Sequence, residues 1–203
     1  MNKKALTVLA ILMLFCTSVS AQKVRATFGI AGGGIATQMM TDPKPSSPLY
    51  FSGYGGAFAT VSFKNFLGLR TGANYLMQGG KYQLSSVDMK ADQSYLQIPV
   101  ALVLSPKSFF SFEVGLYQNI LLSSKFTEMG SETAVISPDT GALKYNFGAL
   151  AGLSFNFGRV VFLELRYHYG LSNSYVIYGM GYPQGIITAG LGFNIISTRK
   201  SAF

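Results

Sequence analysis

The sequence is poor in cysteine, in charge and in long apolar runs. Its only cysteine is Cys16, within an N-terminal segment that we expect to be removed, which would exclude disulfides, thiol chemistry and cysteine metal sites. Charged residues make up 12% of the chain, against roughly 25% in ordinary soluble domains. After Ala21 no apolar stretch approaches the roughly 18 residues that a membrane-spanning helix needs. Low charge without such a helix favours a β-barrel in a membrane.

The N-terminus has the pattern of a secretory signal peptide. Two lysines precede an apolar run over 5–16, and Val-Ser-Ala at 19–21 supplies the small residues of a cleavage site. We therefore predict a signal peptide over 1–21 and a mature domain over 22–203. Lipidation at Cys16 is disfavoured, because the leucine and phenylalanine before it are bulkier than the residues usual in a lipoprotein signal.

Eight segments rich in β-branched and aromatic residues are bounded by turn formers and predict strands. They lie at 24–37, 49–63, 67–78, 94–104, 109–122, 143–157, 160–172 and 185–196. The connections alternate between tight turns and longer segments. The tight turns are 64–66, 105–108 and 158–159, and the longer segments are 38–48, 79–93, 123–142 and 173–184. This arrangement predicts an all-β fold, an eight-stranded antiparallel up-and-down transmembrane β-barrel with tight turns in the periplasm and long loops outside.

The seventh predicted strand shows the two faces most clearly. In "LELRYHYGL", residues 163–171, large apolar residues alternate with Glu164, Arg166 and His168, which is the period of a strand with two unlike faces. We expect the apolar face to contact lipid and the charged face to line the lumen. The second strand fits worst, because Phe58 falls on a face with serine and threonine, and we expect a bulge there.

A soluble eight-stranded barrel would show the same alternation with the faces exchanged. The many bulky apolar residues would then have to fit an interior that only just accommodates its side chains. The outer face would be mostly glycine, alanine, serine and asparagine with few charges, which is a poor soluble surface. The membrane barrel is therefore the favoured interpretation.

Six ionisable residues fall on the face that we assign to the lumen. They are Arg25, Arg70, Glu113, Glu164, Arg166 and His168. An unpaired buried charge costs several kcal/mol, so we expect a structural network of ion pairs that fills the barrel. A proton or solute path along the same residues is the alternative.

Four segments resemble the PorT-type outer-membrane β-barrel family of Bacteroidota. They are "GLRTGANYLMQGGKY" (68–82), "YLQIPVALVL" (95–104), "FGALAGLSFNF" (147–157) and "LELRYHYGLSN" (163–173). The resemblance covers essentially the whole mature chain and implies the fold and a location in the cell outer membrane. One family branch assists type IX secretion, and most members have no assigned activity. This chain departs from the family at Gln97, often a glutamate, and in residues 197–203 after the last strand, so that Phe193 and Phe203 are alternative assembly signals.

The segment "HYGLSN", 168–173, is similar to the His-x-Ser-Asn element of outer-membrane lipid A deacylases, in which histidine activates a serine nucleophile. That element needs a two-residue spacing, whereas His168 and Ser172 are four residues apart. The glycines of 29–34 are not followed by the helix or Lys-Ser/Thr of a phosphate loop. We therefore predict no catalytic residues, no metal and no cofactor.

We expect a non-enzymatic outer-membrane barrel with a structural, adaptor or loop-mediated binding role. A lipid A-modifying outer-membrane hydrolase and a secretion-system accessory barrel are the alternatives. The mature chain has 14 basic and 8 acidic residues, net +6, because the signal peptide removes two of the 16 basic ones. The basic residues are scattered, which disfavours nucleic acid. The expected partners are outer-membrane lipid and lipopolysaccharide, the barrel-assembly machinery during insertion, and a protein or glycan ligand at the outer loops.

Overall fold

The computed structural model describes nine stretches of the chain. They are residues 24–39, 49–63, 66–84, 87–128, 134–135, 144–172, 175–177, 180–182 and 184–199. The predicted signal peptide and Phe203 lie outside the described residues. A search of the described stretches finds no helix long and apolar enough to cross a membrane.

Eight long strands form one antiparallel sheet. They are β1 (Val24–Met39), β2 (Tyr50–Phe63), β3 (Leu67–Leu84), β4 (Val87–Lys107), β5 (Phe110–Glu128), β6 (Tyr145–Phe157), β7 (Val161–Gly170) and β8 (Gln184–Arg199). Each strand pairs with its neighbours in sequence, and β1 pairs with β8, so the sheet closes on itself. The predicted eight-stranded up-and-down barrel is confirmed.

Three short strands lie among the connections at the end opposite the tight turns, which we call the loop end. Ala134–Val135 pairs with β5 beside Phe126 and Thr127. Tyr175–Ile177 and Met180–Tyr182 pair with each other. The loop end therefore carries β-structure of its own.

The predicted long loop over 79–93 was wrong. β3 and β4 remain paired in an unbroken register to Leu84 and Val87, and only residues 85–86 separate them. The segment begins with two glycines and carries four charged residues, which is the composition of a loop. Its apolar residues Tyr82, Leu84, Val87 and Met89 nevertheless alternate with polar ones, as in a strand. β4 has 21 residues and β7 has 10. Since about 9–11 residues cross a bilayer, β3, β4 and β5 continue past the hydrocarbon at the loop end.

The two faces of the barrel differ as the alternation predicts. On β7, Leu163, Leu165, Tyr167 and Tyr169 are between 41% and 46% exposed, while the charged residues between them are at most 7% exposed. The same outward apolar face continues around the sheet. It includes Phe28, Ile30, Leu69, Val100, Leu102, Val114, Leu116, Phe155, Leu191 and Phe193. An apolar outer surface with a charged interior suits a barrel surrounded by lipid.

The predicted bulge in β2 was also wrong. β2 pairs with β1 and β3 without a shift in register, and Phe58 is 8% exposed inside the barrel. Shifts in register lie instead in the β1–β8 pairing after Phe28 and in the β4–β5 pairing after Ser94 and Leu104. Phe58 belongs to the polar face because the lumen holds aromatic rings as well as polar groups.

Glycines on β8 make room for the rings in the lumen. A side chain at Gly192 would overlap the ring of Phe162, and one at Gly190 would overlap the hydroxyl of Tyr54. Both glycines therefore mark a close approach between the barrel wall and a bulky side chain. The barrel interior is a packed core of glycine-backed rings around a polar centre.

Candidate functional site: the luminal charge cluster

Four charged side chains from three strands meet inside the barrel, and we call them the luminal charge cluster. They are Arg70 of β3, Glu113 of β5, and Glu164 and Arg166 of β7. Each carboxylate contacts both guanidinium groups, so the charges alternate and sum to zero. All four residues are buried. A buried charge is tolerated only when it is paired and hydrogen-bonded, and this arrangement meets both conditions.

Arg166 makes the closest contacts of the cluster. Its Nε donates to Glu113 Oε1, and its Nη1 donates to Glu164 Oε1 at 3.0 Å. Its Nη2 lies 3.0 Å from Glu164 Oε2. Arg70 completes the cluster from the other side, with Nη2 at 3.2 Å from Glu164 Oε2 and Nη1 at 3.7 Å from Glu113 Oε2. The two-pronged contact between Arg166 and Glu164 is the geometry for which the planar guanidinium is suited.

The strand register explains why Arg166 reaches Glu113. Glu113 on β5 lies opposite Gly152 on β6, which lies opposite Arg166 on β7. Gly152 has no side chain to fill the space between them. A Cβ there would lie 2.9 Å from both Arg166 Cγ and Glu113 Oε1. The glycine between them thus allows the ion pair to form across an intervening strand.

Three aromatic residues hold the cluster in place, and the sequence did not identify them as part of it. The hydroxyl of Tyr54 donates to Glu164 Oε1 at 2.7 Å. The guanidinium carbon of Arg70 lies 3.9 Å from the ring centre of Phe58 and 5.2 Å from that of Phe162. Cation–π contact in a desolvated site stabilises the cation. The misfit of Phe58 on the polar face of β2 was the available signal.

Arg25 does not join the luminal charge cluster, which corrects one of the six predicted positions. Its side chain is exposed, and its Nε donates to Ser197 Oγ at 2.6 Å. Arg25 has the parity of the inner face, but it lies at the turn end of β1, opposite Ser62 near the end of β2. The alternation of residues shows which face of a strand a side chain is on but not its position along the barrel axis. It therefore could not show that Arg25 lies at the rim, outside the cluster.

His168 borders the cluster through uncharged partners. Its Nδ1 lies 3.4 Å from Gln97 Nε2, and its Nε2 lies 3.4 Å from Thr188 Oγ1. The ring of Tyr117 packs edge-on at 5.4 Å between centres. Gln97 is therefore a buried partner of His168. His168 is 2% exposed and lies inside the barrel.

His168 and Ser172 are bound to different neighbours. Ser172 Oγ accepts a hydrogen bond from the backbone N–H of Phe147 at 2.8 Å and lies 3.3 Å from the carbonyl oxygen of the same residue. The serine therefore fastens the end of β7 to β6, while the histidine faces the lumen. This arrangement does not supply the paired base and nucleophile that a deacylase needs.

Little space remains beside the luminal charge cluster. A cavity of about 10 Å³ is bordered by Arg70, Glu113, Arg166, His168 and Gln97, which is room for about one water molecule. Within the described stretches, no group of three or more histidine, cysteine, aspartate or glutamate side chains is placed to hold a metal ion. The site is a filled interior.

Comparison with known proteins agrees with this geometry. The family profile described as "Outer membrane protein beta-barrel domain" matches residues 20–176. The chain belongs to this family. A search of characterised proteins finds no sequence that matches this chain. This outer-membrane barrel is similar in structure to Neisserial surface protein A, with a TM-score of 0.55, 14% identity, and coverage of 84% of this chain and 99% of that one.

Two further barrels show the same kind of similarity. Ail, the attachment invasion locus protein of Yersinia pestis, was solved in complex with the heparin analogue sucrose octasulfate. It has a TM-score of 0.49 and 14% identity, over 85% of this chain and 99% of that one. OprG from Pseudomonas aeruginosa has a TM-score of 0.45 and 10% identity, over 89% and 97%. At these identities the likeness concerns the fold alone.

Proposed function

We propose that this outer-membrane barrel is a non-enzymatic scaffold that presents its loop end to a protein or glycan ligand at the cell surface. The observation that carries the proposal is the filled lumen. Four mutually neutralising charges, three aromatic rings and a residual cavity of about 10 Å³ occupy its centre. A general pore needs an open interior, and a lipid-modifying enzyme needs a nucleophile that faces lipid. The luminal charge cluster supplies neither.

The long sheet at the loop end supports a binding role. β3, β4 and β5 have 18, 21 and 19 residues, well above the roughly 9–11 that cross a bilayer. Side-chain hydrogen bonds join β4 to β2 and to β5 near the membrane. Tyr50 Oη donates to Asp92 Oδ1 at 2.6 Å, Tyr95 Oη donates to Gln93 Oε1 at 2.9 Å, and Gln93 Nε2 donates to Ser124 Oγ at 3.2 Å. A paired extension costs less entropy to order on binding than a free loop does.

The proposal includes the finer expectations from the sequence. The barrel is of the PorT type found in Bacteroidota, and a signal peptide over 1–21 is cleaved during export. The barrel-assembly machinery reads either Phe193, which lies on the lipid-facing side of β8, or Phe203. A role as a secretion accessory would use the same loop end or the periplasmic turns.

The binding role is tested by placing a photo-crosslinking residue at Gln83, near the tip of the β3–β4 hairpin, in intact outer membranes. The same residue at Ile195 on the lipid-facing side of β8 is the matched control. We expect a discrete crosslinked protein, or a retained glycan, from position 83 and not from position 195. Equal labelling at both positions, or labelling at neither, would contradict the binding role.

The non-enzymatic role is tested separately through His168 and Ser172. We expect each alanine variant to leave the acylation pattern of lipid A unaltered, because the two side chains have structural partners. Mass spectra of lipid A from cells that express each variant would measure this. A pattern that changes with expression of the wild-type protein and reverts in both variants would favour the hydrolase alternative.

A further inference from the structure

The charges of this chain are divided unequally among its connecting segments in the sequence. Two of its eight acidic residues lie in the luminal charge cluster, and the other six fall in segments at the loop end. Those six are Asp42, Asp88, Asp92, Glu128, Glu132 and Asp139. Five lysines fall at the same end, namely Lys44, Lys81, Lys90, Lys125 and Lys144. By sequence, the segments that connect strands at the loop end are thus close to neutral, and the luminal charge cluster is neutral.

The excess positive charge belongs to the opposite end. The tight turns and the two segments next to the start of β1 and the end of β8 contain no acidic residue in the sequence. They contain seven basic residues, namely Lys23, Arg25, Lys64, Lys107, Arg159, Arg199 and Lys200. By sequence, the net charge of +6 after residue 21 therefore arises from the tight turns and the two segments next to β1 and β8.

Three of these cations have described side chains, and we call Arg25, Lys107 and Arg159 the basic turn rim. All three are exposed. Two of them stand beside large exposed apolar residues, and the Lys107 ammonium lies 5.8 Å from the ring centre of Phe109. Arg159 is flanked by Phe157 and Val160, both more than half exposed. Cations next to exposed aromatic rings are typical of the headgroup level of a membrane.

The basic turn rim is distributed around the barrel. Lys107 is the last residue of β4, Arg159 lies in the turn between β6 and β7, and Arg25 lies in the pairing of β1 with β8. In the strand order these positions are separated by intervening strands. A protein partner that docks on one side of the barrel would need a basic patch on that side. A ring of cations instead fits a charged surface that surrounds the barrel.

We infer that the basic turn rim binds the anionic phosphate headgroups of the phospholipid leaflet around the turn end of the barrel. With the tight turns in the periplasm, this is the inner leaflet of the outer membrane. The basic turn rim would fix the depth of the barrel from the periplasmic side. The connecting segments at the loop end are nearly neutral and would not bind the headgroups of the outer leaflet in this way. The excess positive charge thus anchors the turn end in the membrane and does not attract a ligand to the loop end.

The test measures lipid preference around the folded protein in vesicles of phosphatidylcholine. Electron spin resonance would compare the association of spin-labelled phosphatidylglycerol with that of spin-labelled phosphatidylcholine. The rim variant carries Arg25→Gln, Lys107→Gln and Arg159→Gln. The matched control carries Lys90→Gln, Lys125→Gln and Lys144→Gln at the loop end. Heat-dependent gel mobility would establish that each protein is folded.

We expect the wild-type protein to prefer phosphatidylglycerol by about two- to fivefold, and less in high salt because exposed charges are screened. The rim variant should lose most of this preference, and the loop-end control should retain it. If the triple variant does not fold, Lys107→Gln and Arg159→Gln alone should each lower the preference in part. Equal association of the two lipids with the wild-type protein would overturn the inference. So would a loss in the control as large as in the rim variant, or an unchanged preference in the folded rim variant.

Discussion

At the scale of single residues, glycines in the barrel wall decide how large the facing side chain can be. Gly192 faces the ring of Phe162, which packs edge-on against Phe58 at 5.5 Å between ring centres. We predict that Gly192→Val lowers the free energy of unfolding by about 1–3 kcal/mol through overpacking. In a chain that already carries Phe162→Ala, Gly192→Val should cost less stability than it does in the wild-type chain. Equilibrium unfolding in lipid vesicles would measure the coupling.

Gly55 offers a matched control for this prediction. A Cβ at Gly55 would have no heavy atom within 4 Å outside its neighbours in the chain. Gly55→Ala should therefore change stability little. Equal losses at Gly55 and Gly192, or purely additive losses at Gly192 and Phe162, would mean that close approach in the lumen is not the reason for the glycine.

Arg166 and Leu165 are adjacent residues that face opposite surroundings. Arg166→Leu removes the closest partner of Glu113 and Glu164, and we expect it to cost roughly 3–5 kcal/mol of stability, as for a broken buried pair. Adding Glu113→Gln should recover part of that loss, because it removes one of the unpaired carboxylates. Reversible unfolding in lipid vesicles would measure both variants.

The control for this rescue is Leu165→Arg, one position away. Leu165 is on the lipid face, and a charge there should cost about 2–4 kcal/mol near the bilayer midplane. Glu113→Gln should not relieve that cost, because the new charge lies outside the barrel. Rescue of the Leu165 variant instead of the Arg166 variant would mean that the two faces are assigned in reverse.

The sequence predicted the residues of the luminal charge cluster better than their surroundings. In a strand whose apolar residues face lipid, charged side chains can lie only on the luminal face. The alternation therefore placed Arg70, Glu113, Glu164 and Arg166 inside the barrel. Tyr54 could not, because its contact with Glu164 joins β2 to β7 across two other strands, and that depends on closure of the barrel. Long-range contacts of this kind have no local signature in the chain.

At the scale of elements, how well a strand could be predicted depends on whether it lies within the membrane or extends beyond it. Strands inside the hydrocarbon alternate between apolar and polar residues, and their positions could be predicted to within a few residues. Where β3 and β4 continue past the membrane, the alternation and the backbone pairing both persist, but glycines, serines and charged residues interrupt the apolar pattern and resemble a loop. Serines and charged residues likewise obscured the last residues of β5, and the two residues of Ala134–Val135 beside it are too few to show a period.

The extension of β3 and β4 should be dispensable for folding of the barrel. We predict that replacing residues 81–90 with Asn-Gly, a favoured two-residue hairpin turn, leaves a folded barrel with heat-dependent gel mobility. The loss of stability should be roughly 1 kcal/mol or less, because a two-stranded hairpin in water is only marginally stable. Urea-induced unfolding in vesicles would measure it.

Deletion of Leu165 from β7 is the contrasting variant for the shortened hairpin. A one-residue slip exchanges the two faces of the rest of the strand, which would turn apolar residues inward and charged residues to lipid. That variant should not fold. A shortened hairpin that fails to fold, or a Leu165 deletion that folds normally, would contradict the division between the membrane barrel and its extension.

At the scale of the whole molecule, the barrel has three zones along its axis: a basic turn end, a neutral charge cluster inside, and a loop end with an extended sheet. Closure of β1 on β8 leaves the eight long strands of the described residues without a free sheet edge, as a strand structure in lipid requires. The eight strands enclose a lumen that side chains can fill. The central claim is that they do fill it.

Electrical recording in planar bilayers tests this claim most directly. The refolded protein should be inserted and held at voltages of both signs, with heat-dependent gel mobility establishing that it is folded. Because Arg70, Phe58 and Arg166 occupy the centre of the barrel, we predict no stable, large conductance. Reproducible conductance steps of the size seen for open porins would contradict the filled lumen and the scaffold role that depends on it.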